Sequence, residues 1–387
     1  MNNRKPRVRK RRIIWLIASV AVIVVAVCGC QTVSFYRQAI GGELHILTHQ
    51  QPIKQLLADT NTSESLKHKF EVVLEVREFA RTNLHLPADD SYLKYVDLHR
   101  EFAVWNVNAA PPLSLEPKRW WYPFVGRASY RGYFAKDAAT KYGQQLKKKG
   151  FDVYVSAVDT YSTLGWFHDP VLNTFIVEPD ADLAEILFHE LSHQRIFISG
   201  DTDFNEAFAT AVGEEGVRRW LQRDPAVYQK FMLEREQEGD FVKLILAGRD
   251  QLEAVYKDST LTDAVKLERK AQIIADMRNK HEQLKAKWGG KSYYNRWFST
   301  EINNAKLNTI SAYYTLVPAF SALLKANGGD MERFYSAVEK LGKMPKKQRH
   351  AVLKQSLQKT VSGIDNSANV DVLHASEVDG ALAAKAR

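Results

Sequence analysis

The segment His189-Glu190-Leu191-Ser192-His193 constrains this chain more than any other stretch of its 387 residues. Its histidines stand at i and i+4, which puts both imidazoles on one face only if the backbone there is an α-helix. The flanks agree with a helix. Asp182, followed three residues on by Glu185, has the form of a capping-box start, and Ile186, Leu187, Ile196 and Phe197 supply an apolar face. Two imidazoles so placed can share one Zn²⁺ at about 2.0–2.1 Å each. Glu190 is rotated off the ligand face, so it reaches a water on the ion rather than the ion itself. With 11 histidines and 45 acidic residues in the chain, such a pattern arises by chance on the order of 0.04 times. A solvated helix face is the bland alternative, but this helix is apolar enough to be buried, where such residues need a reason.

A third protein ligand is then required. The helix is expected to stop near Ile198, because Gly200 suits the position just past a helix end. Asp201, Thr202 and Asp203 are N-cap candidates for a second helix running from Phe204 to Val212. So short a connection makes the two helices neighbours that run back on each other. His193 lies roughly 7 Å of helix before the turn and Glu206 roughly 5 Å after it, so they arrive at comparable height. Glu206 is the expected third ligand. Its ordinary alternative is a first-turn glutamate favoured by the helix dipole. Glu214 and Glu215 are rival ligands two turns further on.

The formal net charge of +9 suggests nucleic-acid binding only until it is located. Arg4, Lys5, Arg7, Arg9, Lys10, Arg11 and Arg12 fall in residues 1–29 with no acid among them; without those seven, 47 basic residues face 45 acidic ones. No basic face is left for a nucleic-acid partner. The seven charges directly precede the apolar run 13–27, the layout of an export signal. Val27-Cys28-Gly29-Cys30 resembles the bacterial lipobox. That resemblance implies cleavage before Cys30 and acylation of it, leaving the rest of the chain lipid-anchored in the cell envelope and facing the periplasm or exterior. An uncleaved signal anchor is the alternative, with the apolar run slightly short of about 20 residues. Only two cysteines are present, which excludes a disulfide scaffold and a cysteine-rich metal site.

Periodicity organises the remainder. Residues 31–57 and 63–84 read as helices, 102–107 as a strand, 136–149 as a helix ending at Gly150, and 151–158 as a second strand. A loop over 160–169 precedes a short strand around 173–177, and from Asp182 onward nearly everything reads as helix, including a charged stretch from about 236 to 288. The expected fold is α+β with helices dominant: a small β-sheet beside a helical body that carries the His-Glu helix and the following glutamate helix. The expected divisions are a signal peptide over 1–29, a membrane-proximal segment over 30–61, a metallopeptidase domain over 62–362 and a poorly ordered tail over 363–387.

His189-Glu190-Leu191-Ser192-His193 followed by Asn205-Glu206-Ala207-Phe208-Ala209 resembles the gluzincin zinc peptidases. More closely, the chain looks like the zinc aminopeptidases found as bacterial lipoproteins, through Tyr130-Arg131-Gly132-Tyr133-Phe134, Tyr161-Ser162-Thr163-Leu164-Gly165-Trp166-Phe167 and Gly200-Asp201-Thr202-Asp203-Phe204-Asn205-Glu206 among other segments. The interval from His193 to Glu206 is shorter than in thermolysin-like enzymes, so their substrate pockets do not transfer. The expected activity is peptide hydrolysis with one zinc ion held by His189, His193 and Glu206, and with Glu190 as general base. An oxyanion donor besides the ion is needed; Tyr313, Tyr314, Tyr161 and His168 are the candidates, each with an ordinary packing or surface role as its alternative. The substrate is a peptide or protein, cleaved by an aminopeptidase or by an envelope endopeptidase. The remaining rival is a non-catalytic lipoprotein with a structural zinc site and a partner-binding arm over 236–288.

Overall fold

Three sets of backbone pairings carry the β-structure, and most of the other described residues are helical, so the expected α+β, mostly helical class holds. The structure is a computed structural model and describes residues 29–122, 126–160 and 168–355. The basic run, the apolar run and the 363–387 tail lie outside the described residues. No helix among the described residues is long and apolar enough to cross a membrane.

In chain order the elements are α1 (Gly29–Thr48), β1 (Gln51–Pro52), α2 (Ile53–Ala58), α3 (Glu64–Asn83), β2 (Lys94–Val96), β3 (Val104–Ala110), β4 (Trp120–Tyr122), β5 (Gly126–Ala128), β6 (Tyr130–Tyr133), α4 (Lys136–Lys148), β7 (Asp152–Val158) and β8 (Val171–Leu172). There follow α5 (Asp180–Arg195), α6 (Thr202–Trp220), α7 (Pro225–Lys257), α8 (Asp263–Lys287), α9 (Asn295–Ser299), α10 (Asn304–Tyr314), α11 (Val317–Ala326) and α12 (Met331–Gly342); residues 346–355 are also helical. The helix expected over 31–57 is broken by β1, where Pro52 cannot continue a helix and its neighbour pairs with β2. The strand expected around 173–177 is instead β8, two residues earlier; Phe175 and Ile176 turn back on the Leu172 carbonyl.

The principal sheet has the order β6-β3-β7, antiparallel throughout, with Val107 opposite both Arg131 and Val155. β7 is therefore an edge strand. A second sheet has the order β1-β2-β8, parallel between β2 and β8, and β4 and β5 form a ribbon.

Three apolar clusters hold these elements. The largest joins α3, α5, α6, α11 and α12 through Phe70, Val73, Phe188, Phe204, Phe208, Phe320 and Phe334. A second lies inside the α7–α8 hairpin and under α9 and α10, around Phe241, Ile245, Met277, Phe298 and Leu307. A third, with Phe35, Val107, Trp120 and Leu146, packs α1 and α4 on the principal sheet. The charged stretch 236–288 is thus a hairpin seated on the body, not a free arm. Lys270, almost wholly buried in α8, donates to Asp152 at the start of β7 and to the Pro112 carbonyl.

Candidate metal centre

The centre is made by α5 and α6, and the turn between them is fixed by side chains rather than by its own backbone. α5 begins at Asp180 behind Pro179, two residues before the expected start, and the Asp182/Glu185 box does not form. Lys69 holds the Asp180 carboxylate (2.6 Å), and Glu185 is taken by Arg235 (3.1 Å). α5 ends at Arg195, three residues sooner than expected, because Ile196 is already extended. Gly200 does adopt the left-handed backbone (φ +79°) that favours glycine. Asp201 stands at the N-cap of α6 but makes no capping bond. Its buried carboxylate instead meets Lys346 (2.7 Å), Arg349 (3.0 Å) and His350 (2.9 Å). Asn205 closes the turn from the other side: its Oδ1 accepts from the Ile198 amide (2.8 Å) and its Nδ2 donates to the Ile198 carbonyl (2.9 Å).

The two helices approach closely because α6 presents Gly213 and Gly216 to α5. A Cβ at Gly216 would lie 2.5 Å from the Phe188 ring, and one at Gly213 would lie 3.2 Å from the Glu185 carbonyl oxygen and 3.6 Å from the His189 Cβ. That proximity lets a glutamate on α6 reach histidines on α5.

His189 Nε2 and His193 Nε2 are 3.2 Å apart. Glu206 Oε2 lies 3.4 Å from the first and 3.8 Å from the second. Two ligand atoms about 2.05 Å from a tetrahedral centre are separated by about 3.3 Å. The triangle therefore fits a small ion without rearrangement, and its two-imidazole, one-carboxylate donor set suits one. Among the described residues no other group of three such side chains is brought together. Glu214 and Glu215 are not part of it: Glu215 is paired with Arg218 and Arg219, both at 2.6 Å.

Burial and mutual contact set the charges. Burial drives the His193 pKa down to about 4, so the ring is neutral and its lone pair is free to ligate. Burial opposes the charge of His189 as well, but the Glu206 hydrogen bond and the nearby glutamates outweigh it and raise its pKa. Burial likewise works against the Glu206 carboxylate, yet its hydrogen bonds with His189 and Tyr313 and the surrounding imidazoles hold its pKa below normal. Tyr313 completes the ring of contacts. Its ring stacks on His189 (6.2 Å, 25°) and its hydroxyl hydrogen-bonds Glu206, whose charge, with burial, keeps the phenol protonated far beyond pH 10.

A family model described as putative aminopeptidase matches residues 34–353. The chain belongs to that aminopeptidase family. No curated protein and no solved structure matches it significantly.

In this aminopeptidase-family chain the centre opens into a cleft of about 670 Å³. Glu190 lines it; burial raises the pKa values of Tyr92 and Tyr130 and the Glu206 charge that of Tyr313, with Glu190 adding to all three. One wall is acidic. Glu185 is pushed up to about 7, mainly by burial, with Arg235 as counter-charge and Glu238 and Asp182 as neighbouring carboxylates; Glu214, pushed up to about 8 by burial and Glu185, lines an adjoining cavity instead. Tyr314 belongs to this wall rather than to the centre, donating to Glu238. His168 is elsewhere: it is exposed and 3.8 Å from Asp90. Tyr161 lies outside the described residues; Cys30 lies in the backbone of α1, and its side chain is outside the description.

Tyr130 and Tyr92 were not singled out by the sequence as chemical groups. Tyr130 was visible only inside the Tyr130–Phe134 segment. Tyr92 is held by the Asp169 carbonyl in left-handed backbone (φ +60°), a strain that no residue pattern announces.

Proposed function

We propose that this chain is a zinc-dependent aminopeptidase of the cell envelope, tethered through Cys30, with His189, His193 and Glu206 as ligands and Glu190 as general base. One observation carries the reading: two imidazoles and a carboxylate converge within 4.8 Å at the floor of a cleft that Glu190 also lines. A zinc ion there would polarise the scissile carbonyl and acidify a water. Glu190 would take up a proton from the attacking water and return it to the departing amine. The protonated hydroxyl of Tyr130, which lines the cleft, is the donor available to the carbonyl oxygen as its charge develops, since Tyr313 gives its proton to Glu206. Glu206 is held by Tyr313 as well as by the histidines, which keeps its carboxylate in the ligating position.

The acidic wall supports exopeptidase action over the endopeptidase alternative. Glu178, Asp182, Glu185 and Glu238 line this side of the cleft against Arg235, so the wall carries an excess of acids for a substrate's terminal ammonium. The basic and apolar runs before Cys30 support the tether.

Purified full-length protein should carry about one zinc per chain under zinc-replete conditions. It should cleave peptides with a free N-terminus and leave their N-acetylated counterparts intact. Equal cleavage of the two sets would give the endopeptidase instead, and zinc without any cleavage would give the structural site. Cys30→Ser should abolish lipid labelling and leave an uncleaved precursor; unchanged processing in that variant would point to a signal anchor.

A further inference from the structure

The cleft does not end at the His-His-Glu set. A second cavity of about 410 Å³ meets it there, sharing Asn106, Tyr130, Glu206 and Tyr313, and runs away from the acidic wall towards α7 and α10. Its lining has a different character. Arg249, Arg119 and Lys354 face it, with Glu116 and Asp203 as the acids beside them. Asp203 leans to Lys346 (3.6 Å), outside the cavity lining.

Arg249 is the distinctive group. Its Nη2 donates to Asn308 Oδ1 (3.0 Å), and Asn308 is itself fixed through Nδ2 to the Leu115 carbonyl (3.0 Å). Among the described residues no carboxylate comes within 4.0 Å of the guanidinium; Glu253, the nearest influence on α7, is paired with Lys257 (2.7 Å). The Arg249 Nε is buried and has no hydrogen-bond partner. A partly buried cation with a donor to spare and no carboxylate in contact with it is a natural seat for a ligand's anion. Burial accordingly lowers its pKa, the sign expected of a charge short of a counter-ion.

We propose that this cavity binds a carboxylate of the peptide substrate on Arg249. The inference rests on the peptidase reading above. Distance along α10 supplies the length. Asn308, which touches Arg249, and Tyr313, which touches the centre, are five residues apart on one helix, about 7–8 Å of rise. An extended peptide covers that interval in two to three residues at about 3.3–3.6 Å each. The carboxylate therefore sits two or three residues beyond the scissile bond, opposite the acidic wall that faces the terminal ammonium. A substrate bound in this way meets opposite charges on the two sides of the centre. The carboxylate can come from the chain terminus or from an acidic side chain at that position.

Zinc-loaded full-length protein should be assayed with trialanine and tetra-alanine as free acids, as C-terminal amides, and as tetrapeptide amides with glutamate at the third or fourth position. Loss of a charge-assisted contact should raise KM about tenfold to hundredfold on amidation, with kcat much less affected. Arg249→Gln should raise KM for the acids by a similar factor and leave the plain amides unchanged, and Arg249→Lys should fall between. Recovery in the glutamate amides would assign the anion to a side chain; no recovery would assign it to the terminus. The comparison of acid with amide needs no variant, so misfolding of Arg249→Gln does not blunt it. Equal KM for acids and amides would overturn the Arg249 assignment and leave the peptidase reading intact. Hydrolysis of none of the peptides would overturn both.

Discussion

Glu190 and Glu206 are both cleft glutamates, and their surroundings separate their roles. Glu206 touches both imidazoles and Tyr313, whereas Glu190, one residue past His189, is angled off the ligand face. Glu190→Gln should therefore keep bound zinc, by metal analysis of dialysed protein, while activity falls by about 10²–10⁴-fold. Glu206→Gln should weaken zinc retention itself and regain part of its activity in excess zinc. Zinc lost from the first variant and kept by the second would reverse the assignment. Much of this was readable in advance, because helical spacing alone puts His189 and His193 on one face and brings Glu206 back to their level. The tyrosines were not readable. Tyr313 and Tyr314 are neighbours in the chain yet serve different groups, Glu206 and Glu238, and only the rotation of α10 decides between them.

At the scale of elements, the centre depends on how nearly α5 and α6 can touch. Gly216→Ala would set a methyl group into the Phe188 ring and 2.8 Å from Leu84 Cδ1, with no flexible side-chain end to give way. Overpacking of this kind costs about 1–3 kcal/mol, so thermal unfolding should shift down by several degrees. Zinc affinity should fall as well, since the same shift moves Glu206 away from the histidines. A Gly216→Ala protein with unchanged melting and zinc binding would show that the contact is not tight. The helices themselves were legible from apolar periodicity, and the hairpin over 225–287 contains the charged stretch the sequence marked. Their ends were less so. α5 starts and stops earlier than its flanking residues suggest: Glu185, half of the expected capping box, is taken by Arg235 from distant sequence, and Ile196 is already extended. Short strands such as β1 and β8 leave too little periodicity to be placed from sequence.

On the scale of the whole molecule, Asp201 joins the turn that carries Glu206 to the helix over 346–355. Burial alone would raise its pKa, but the hydrogen bonds from His350 and Lys346 hold it below that of a free aspartate. Stability from this carboxylate is complete above about pH 4, the range of the unfolded group, and is lost as pH falls through the lower folded value. Asp201→Asn should therefore destabilise the protein by about 3–5 kcal/mol at neutral pH, because it leaves Arg349 and Lys346 facing an uncharged group. The difference from wild type should shrink on acidification below about pH 4; a gap that stayed constant down to pH 3 would remove the charge from the account.

Asp201 and His350 are 149 positions apart. A chain emerging in sequence order, whether from a ribosome or through a membrane, has its two histidines and its glutamate early but lacks the brace that fixes the glutamate's turn. The brace arrives only when residues 346–350 do. In chain order, then, the turn that carries Glu206 is the last part of the His-His-Glu centre to gain its full set of contacts.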